Sequence, residues 1–341
     1  MQFGGTARPP AGTVFDCDMG NSIDDALALA LLYGLQGKNE TRVLSVSVTK
    51  PNLKSAAFCD AVMRFYLGPP GPFGGGDPPV GMALTGKMPE DTPMVAQPLS
   101  RQTPEGKPVY ARGIQKLNDT ADPVALIRNA LTSQYDQNAM VVLTGPATNL
   151  ANLLDLPGAK AVISQKVRYL TAAVGSFAGG RPESAITCDI AAAKKLVAEW
   201  PTPIVFSGAE VGEGLPFPGA SIEKDFAWSQ AHPVVDAYRA YKPMPYDAPS
   251  GAMTAVLYAI RPKEGYFKLS EPGTVTVLDD GRTRFTPSAE GKHRYLIADP
   301  SQKDRIIQTY TEIASMKPAG RPQRFRLPQK KEAGPPKTPA K

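Results

Sequence analysis

Asp16, Asp18, Asp24 and Asp25 fall within ten residues of one another, in the segment V-F-D-C-D-M-G-N-S-I-D-D-A-L-A-L-A-L-L. An apolar run leads into them and a strongly apolar helical pattern leads out, so folding places several carboxylates together at the end of a buried strand. Like charges that close repel and raise one another's pKa unless a cation or a shared proton relieves them. A divalent metal answers that need, and oxygen-only ligands favour a hard ion, Ca²⁺ or Mg²⁺. Taken alone, Asp24 and Asp25 have a structural explanation. They open a helix, complement its dipole, and Ser22-x-x-Asp25 matches a capping box. Asp16 and Asp18 favour a site instead, because they share a face of a strand whose neighbours are apolar.

The elements that must position these acids alternate in type. Thr13–Cys17, Val43–Val48, Met140–Leu143, Val167–Val174 and Ile204–Phe206 read as strands with little polar alternation, as in a sheet covered on both faces. Helical patterns lie at Asp24–Gly34, Ser55–Tyr66, Pro123–Ser133, Ala147–Leu154, Ala191–Glu199 and Ala252–Ala259. This alternation predicts an α/β fold with an open, mostly parallel sheet flanked by helices. Ligands of such sheets bind beyond the carboxyl ends of the strands, which is where the aspartates fall. Gly68–Asp77 and Thr85–Lys116 read as an extended surface loop. Residues 264–300 read as a small β-rich C-terminal addition, with a hairpin turning at Asp280-Gly281.

The chain has 341 residues, 42% of them apolar and 21% charged, as in a soluble globular protein with a sizeable core. Its formal charge of +6 does not point to nucleic acid, because of where the charge lies. From Lys317 onward eight Lys or Arg face one acid, Glu332, while the remainder carries 30 basic and 31 acidic residues. The reading is therefore one domain over 12–316 and a basic, Pro-rich disordered tail over 317–341. Cys17, Cys59 and Cys188 form neither a disulfide framework nor a zinc motif. No apolar stretch approaches the ~20 residues of a membrane helix, and the N-terminus lacks the apolar core of a signal peptide. Read literally the chain is cytoplasmic, or secreted or periplasmic if a leader has been removed.

Three kinds of site compete for the aspartates. An EF-hand loop fails, since Gly20 and Leu27 stand where it needs acids. A phosphotransferase of the haloacid dehalogenase type begins strand-D-x-D but leaves Asp24 and Asp25 unexplained. The pattern D-x-D-x-G-x-x-x-D-D-A-x-A-L resembles the N-terminal signature of the inosine/uridine-preferring nucleoside hydrolases. Downstream, L-T-G-P-A-T-N-L-A (143–151) is similar to that family's T-G-x-x-T-N segment. P-I-V-F-S-G-A-E-V-G (203–212) and T-A-V-L-Y-A-I-R-P (254–262) follow in the family's order.

The resemblance implies an enzyme that splits a nucleoside into base and ribose with one bound Ca²⁺, a place in purine or pyrimidine salvage, and a small-molecule nucleoside as partner. It implies neither nucleic acid nor membrane, and is compatible with a homo-oligomer. Carried over, Asp18 and Asp25 ligate the metal, Thr144 adds its backbone carbonyl, and Asp16 supports the shell. Asp18 also accepts a proton from the metal-bound water, Asp24 holds a ribose hydroxyl, and Asn52 orients that water or the ribose. Glu183 and Asp189 match the family's ribose-binding segment E-x-N-x-x-x-D, which makes Glu183 an expected substrate residue, but Ala185 stands in place of the segment's Asn. Ala252 stands where the family supplies a further anionic ligand, with Asp247 five residues upstream as a substitute. The resemblance therefore points to a hydrolase with a modified site, and the alternative is a non-catalytic relative that binds a ribosyl ligand. His232 and His293 match no motif and read as structural.

Overall fold

The structure is a computed structural model that describes residues 10–69 and 76–320. Among these residues one sheet is built from β1 (Gly12–Cys17), β2 (Arg42–Val48), β3 (Val80–Met82), β4 (Ala139–Leu143), β5 (Val167–Ala172), β6 (Ile204–Phe206), β7 (Phe267–Leu269), β8 (Gly273–Val277), β9 (Thr283–Pro287) and β10 (His293–Ala298). The order is β3-β2-β1-β4-β5-β6-β10-β8-β9, with β7 on β10. Pairing is parallel from β3 across to β10 and antiparallel beyond it.

β1 is buried along its whole length, between β2 and β4. Side chains of a strand alternate between faces. Val14, Leu44, Val141 and Leu143 accordingly enter the core on one side of the sheet, and Phe15, Val43, Val46 and Val142 the core on the other. The helix Ile23–Gly37 lies in the second core, buried nearly all round, against the helices Gly251–Ile260 and Lys303–Ala314. Its Leu27, Leu29, Leu31, Leu32 and Leu35 have no exposed surface. At about 2 kcal/mol each, an upper estimate, these five leucines contribute on the order of 10 kcal/mol. That packing, rather than any attraction between the acids, keeps Asp24 and Asp25 in place in the helix's first turn.

Each helix read from the sequence forms within a few residues of its expected limits. Two readings need correction. The stretch 85–116 is not simply a loop: Pro93–Ser100 is a helix with Met94 and Val95 fully buried against the helices Leu53–Leu67 and Pro233–Tyr241. Two prolines hide its periodicity, yet Pro93 in the first turn lacks only an N–H that would have no partner within the helix. Second, Ser22 stands at the N-cap without a side-chain capping bond, and Asp25 turns inward. The segment 264–300 is β-rich as expected, with β8 and β9 a hairpin turning at Asp280-Gly281, and its β10 pairs in parallel with β6, so it continues the main sheet. Residues 70–75 of the expected surface loop and 321–341 of the expected tail lie outside the described residues.

Candidate active site

β1 ends at Cys17, so Asp16 is a strand residue while Asp18 heads the turn that follows. Gly20 carries the chain through that turn at φ +106, and a Cβ there would meet Ser55 Oγ at 2.9 Å. Thr92 Oγ1 donates to Gly20 O at 2.7 Å and ties the following segment down. The loop after β4 approaches from the other side: a Cβ on Gly145 would lie 2.7 Å from Asp18 N and 2.9 Å from Asp18 Cβ. Glycine is thus required for this closeness, which brings Thr144 to Asp25.

Each aspartate has specific partners. Asp16 Oδ1 accepts from Ser47 Oγ at 2.6 Å and from Asn149 Nδ2 at 2.8 Å. Asp18 Oδ2 accepts from Asn21 Nδ2 at 2.8 Å. Asp25 Oδ1 accepts from Thr144 Oγ1 at 2.6 Å, and Asp24 Oδ2 from the backbone N–H of Ala252 at 3.1 Å. Asp16 Oδ2 and Asp25 Oδ2 are buried and have no donor. Burial is the first cause that raises the pKa of all four acids. For Asp25 the charges of Asp18 and Asp24 come next, and its carboxyl is close enough to that of Asp18 to share a proton. Hydrogen bonds from Ser47 and Asn149 oppose the effect at Asp16, whose pKa is nevertheless pushed up to about 7.

This carries a pH signature. A carboxyl raised in the folded state favours protonation there, so its contribution is whole below the unfolded value of 3.8 and is lost as pH rises through about 7. About three pKa units correspond to on the order of 4 kcal/mol. In chelator, Tm is expected to fall from about pH 4 to about pH 7 and to level off above it. Asp16→Asn, which keeps the acceptor for Ser47 and Asn149, is expected to flatten that slope. Parallel slopes in the two proteins would show that Asp16 is not its source.

A sequence-family model described as inosine-uridine preferring nucleoside hydrolase matches residues 13–308. The chain belongs to this family. No curated protein matches the chain. Among solved structures, a plant nucleoside hydrolase is similar, with TM-score 0.65 and 17% identity over 90% of this chain and 99% of its own. A purine-preferring ribonucleoside hydrolase from Gardnerella vaginalis gives TM-score 0.64 and 18% identity over 89% and 98%. The type III effector protein XopQ, complexed with adenosine diphosphate ribose, gives 0.64 and 16% over 90% and 94%. At these identities the likeness shows the nucleoside hydrolase fold.

A cavity of about 500 Å³ opens beside the aspartates. Asp18, Asn21, Lys50, Thr148, Cys188 and Asp189 line it, along with Lys87 and Met88 from the segment after β3. Of these, Asp18 is a site residue expected from sequence and Asp189 lies in the matched segment E-x-N-x-x-x-D. Asp189 is held by Thr148 Oγ1 at 2.7 Å and caps the helix Ile190–Glu199 through Ala192 N. Asn149, now seen to brace Asp16, lay in the T-G-x-x-T-N match without a role of its own, and Ser47 had no signal beyond a polar residue in an apolar strand.

Two expected substrate residues are engaged elsewhere. Asn52 caps the helix Leu53–Leu67 through Ser55 N, and its amide donates to Pro89 O and Asp91 Oδ1. Glu183 caps the short helix Ser184–Cys188 by accepting from the N–H groups of Ala185 and Ile186. Asp247 accepts from Gly219 N and so holds a turn rather than replacing the acid absent at Ala252. Both histidines are structural. His232 is caged by Phe65, Phe226 and Trp228 and pushed down to about 3 by burial. His293 accepts from Val275 N and is pushed down to about 4 by burial.

The family implies a metal, and the donor set suits one in part. Two buried carboxylate oxygens without donors and an all-oxygen set match a hard cation. Yet among the described residues no three His, Cys, Asp or Glu side chains are grouped closely enough to hold a metal ion. Beside Asp24 the helix Gly251–Ile260 offers the Ala252 N–H rather than a carboxylate.

Proposed function

We propose that this protein hydrolyses the N-glycosidic bond of a ribonucleoside, releasing base and ribose. The observation that carries the reading is the convergence of Asp16, Asp18, Asp24 and Asp25 at the carboxyl end of β1, beside a cavity, in a chain of this family. Asp18, Asp25, Asp16 and the Thr144 carbonyl are the groups proposed to hold Ca²⁺. When bound, such an ion supplies charge and helps activate water, less strongly than Zn²⁺.

The protein's own groups do the rest. Asp18 reaches the cavity and takes the proton of the attacking water. As the water oxygen bonds to the anomeric carbon, the carbon–nitrogen bond breaks and its electron pair leaves with the base. The ribose passes through an oxocarbenium-like state, which nearby carboxylates stabilise. Asp24, fixed by the Ala252 N–H, presents its remaining acceptor capacity to a ribose hydroxyl. Neither histidine is placed to protonate the leaving base.

A panel of purine and pyrimidine ribonucleosides with excess Ca²⁺, followed by reducing-sugar assay, is expected to show ribose release from at least one member. No release from any nucleoside by a folded protein would reject the enzyme reading. Ala185 and Ala252 favour the second reading, a non-catalytic binder of ribosyl ligands. ADP-ribose raising Tm in a protein inactive on the whole panel would support it.

A further inference from the structure

Lys50 is a charged group of the cavity that the hydrolase reading leaves unused. It follows β2 by two residues and is only 2% exposed, yet it lines the cavity beside Asp18 and Asn21. Its Nζ donates to Asn21 Oδ1 at 2.9 Å, and Asn21 Nδ2 donates in turn to Asp18 Oδ2 at 2.8 Å. The ammonium therefore stands two hydrogen bonds from the residue proposed as ligand and base. Glu90, Asp18 and Asp91 are the acids whose charges favour its protonated form, against the cost of burial. Asp91 is already paired with Lys54 and bonded by Asn52, which leaves Glu90 and the aspartate cluster as the less satisfied counter-charges.

We propose that the Lys50 ammonium is a built-in cation of the aspartate site, supplying part of the positive charge the cluster requires and lowering its affinity for a divalent ion by repulsion. The inference rests on reading Asp18 and Asp25 as the cation-binding pair. Buried charges are weakly screened, so a fixed ammonium acts on an ion across a hydrogen-bonded bridge. Lys50 and Ala252 then belong together. An ammonium on one wall, and alanine in place of an expected acid on the other, each lower by one unit the charge that a divalent ion must balance.

Calorimetric titration with CaCl₂ alone tests this on the full chain. Lys50→Met is expected to bind Ca²⁺ at least about tenfold more tightly than the unmodified protein, and Lys50→Arg within about twofold of it. The Tm difference between CaCl₂ and EDTA is expected to widen in Lys50→Met and not in Lys50→Arg. Equal or weaker Ca²⁺ binding by Lys50→Met with a native circular dichroism spectrum overturns the proposal, as does the absence of binding heat in all three proteins. If Lys50→Met does not fold, Lys50→Gln carries the same comparison. Ribose release by the unmodified protein is scored separately, so an inactive protein that shows the Ca²⁺ pattern counts against the hydrolase reading alone.

Discussion

Asp18→Ala is expected to lower ribose release by at least about a thousandfold and to abolish calorimetric Ca²⁺ binding, with the fold intact. Loss of a positioned general base alone costs about 10²–10⁴ in rate, and here the same carboxylate is a proposed ligand. The variant has a second signature that a merely structural residue would lack. Asp18 is the leading charge that raises the pKa of Asp25, so its removal relieves a buried repulsion. Tm in EDTA is therefore expected to hold or rise while activity is lost. Unchanged Ca²⁺ affinity would reject the assignment, and a large fall in Tm would make Asp18 a structural residue.

Ala252→Asp is expected to act with opposite sign in the two conditions. Ala252 is 1% exposed, in the first turn of Gly251–Ile260, and its N–H meets Asp24 Oδ2. A carboxylate there adds a fifth acid to a buried cluster, and uncompensated it is expected to cost about 2–4 kcal/mol in EDTA. The position at a helix N-terminus returns only about 0.3–1 kcal/mol of that. Excess Ca²⁺ is expected to reverse the loss, since a further oxygen ligand raises affinity, here by about tenfold or more. Equal destabilisation in EDTA and in CaCl₂ would show that residue 252 does not face the ion.

What could be read from sequence followed from local contrast. The central strands stood out because a parallel sheet covered on both faces needs continuous apolar runs, and Asp16 stood out as an acid inside one. The Pro93–Ser100 helix did not, because its two prolines suppress the local pattern while its burial is set by distant helices. Asn52 illustrates a different limit. A helix cap and a ligand-facing amide call for the same residue type, and only its hydrogen-bond partners, Ser55 N donating on one side and Asp91 Oδ1 accepting on the other, separate them. Lys50 was not legible as a site residue for a tertiary reason. The cavity wall is assembled from segments near residues 18–21, 49–50, 86–88, 146–148 and 187–191, and no one of them carries a pattern for it.

The brace on Asp16 reaches across the chain, to Ser47 at a separation of 31 residues and to Asn149 at 133. A nascent or cleaved polypeptide ending before residue 149 has the aspartates but not the clamp that orients them. On the proposed reading, ion binding is thus a property of the finished sheet and not of the N-terminal segment. An ion that recognises only that state adds to its stability by mass action. Divalent-ion concentration would then govern how long this protein survives proteases, whichever nucleosides are present.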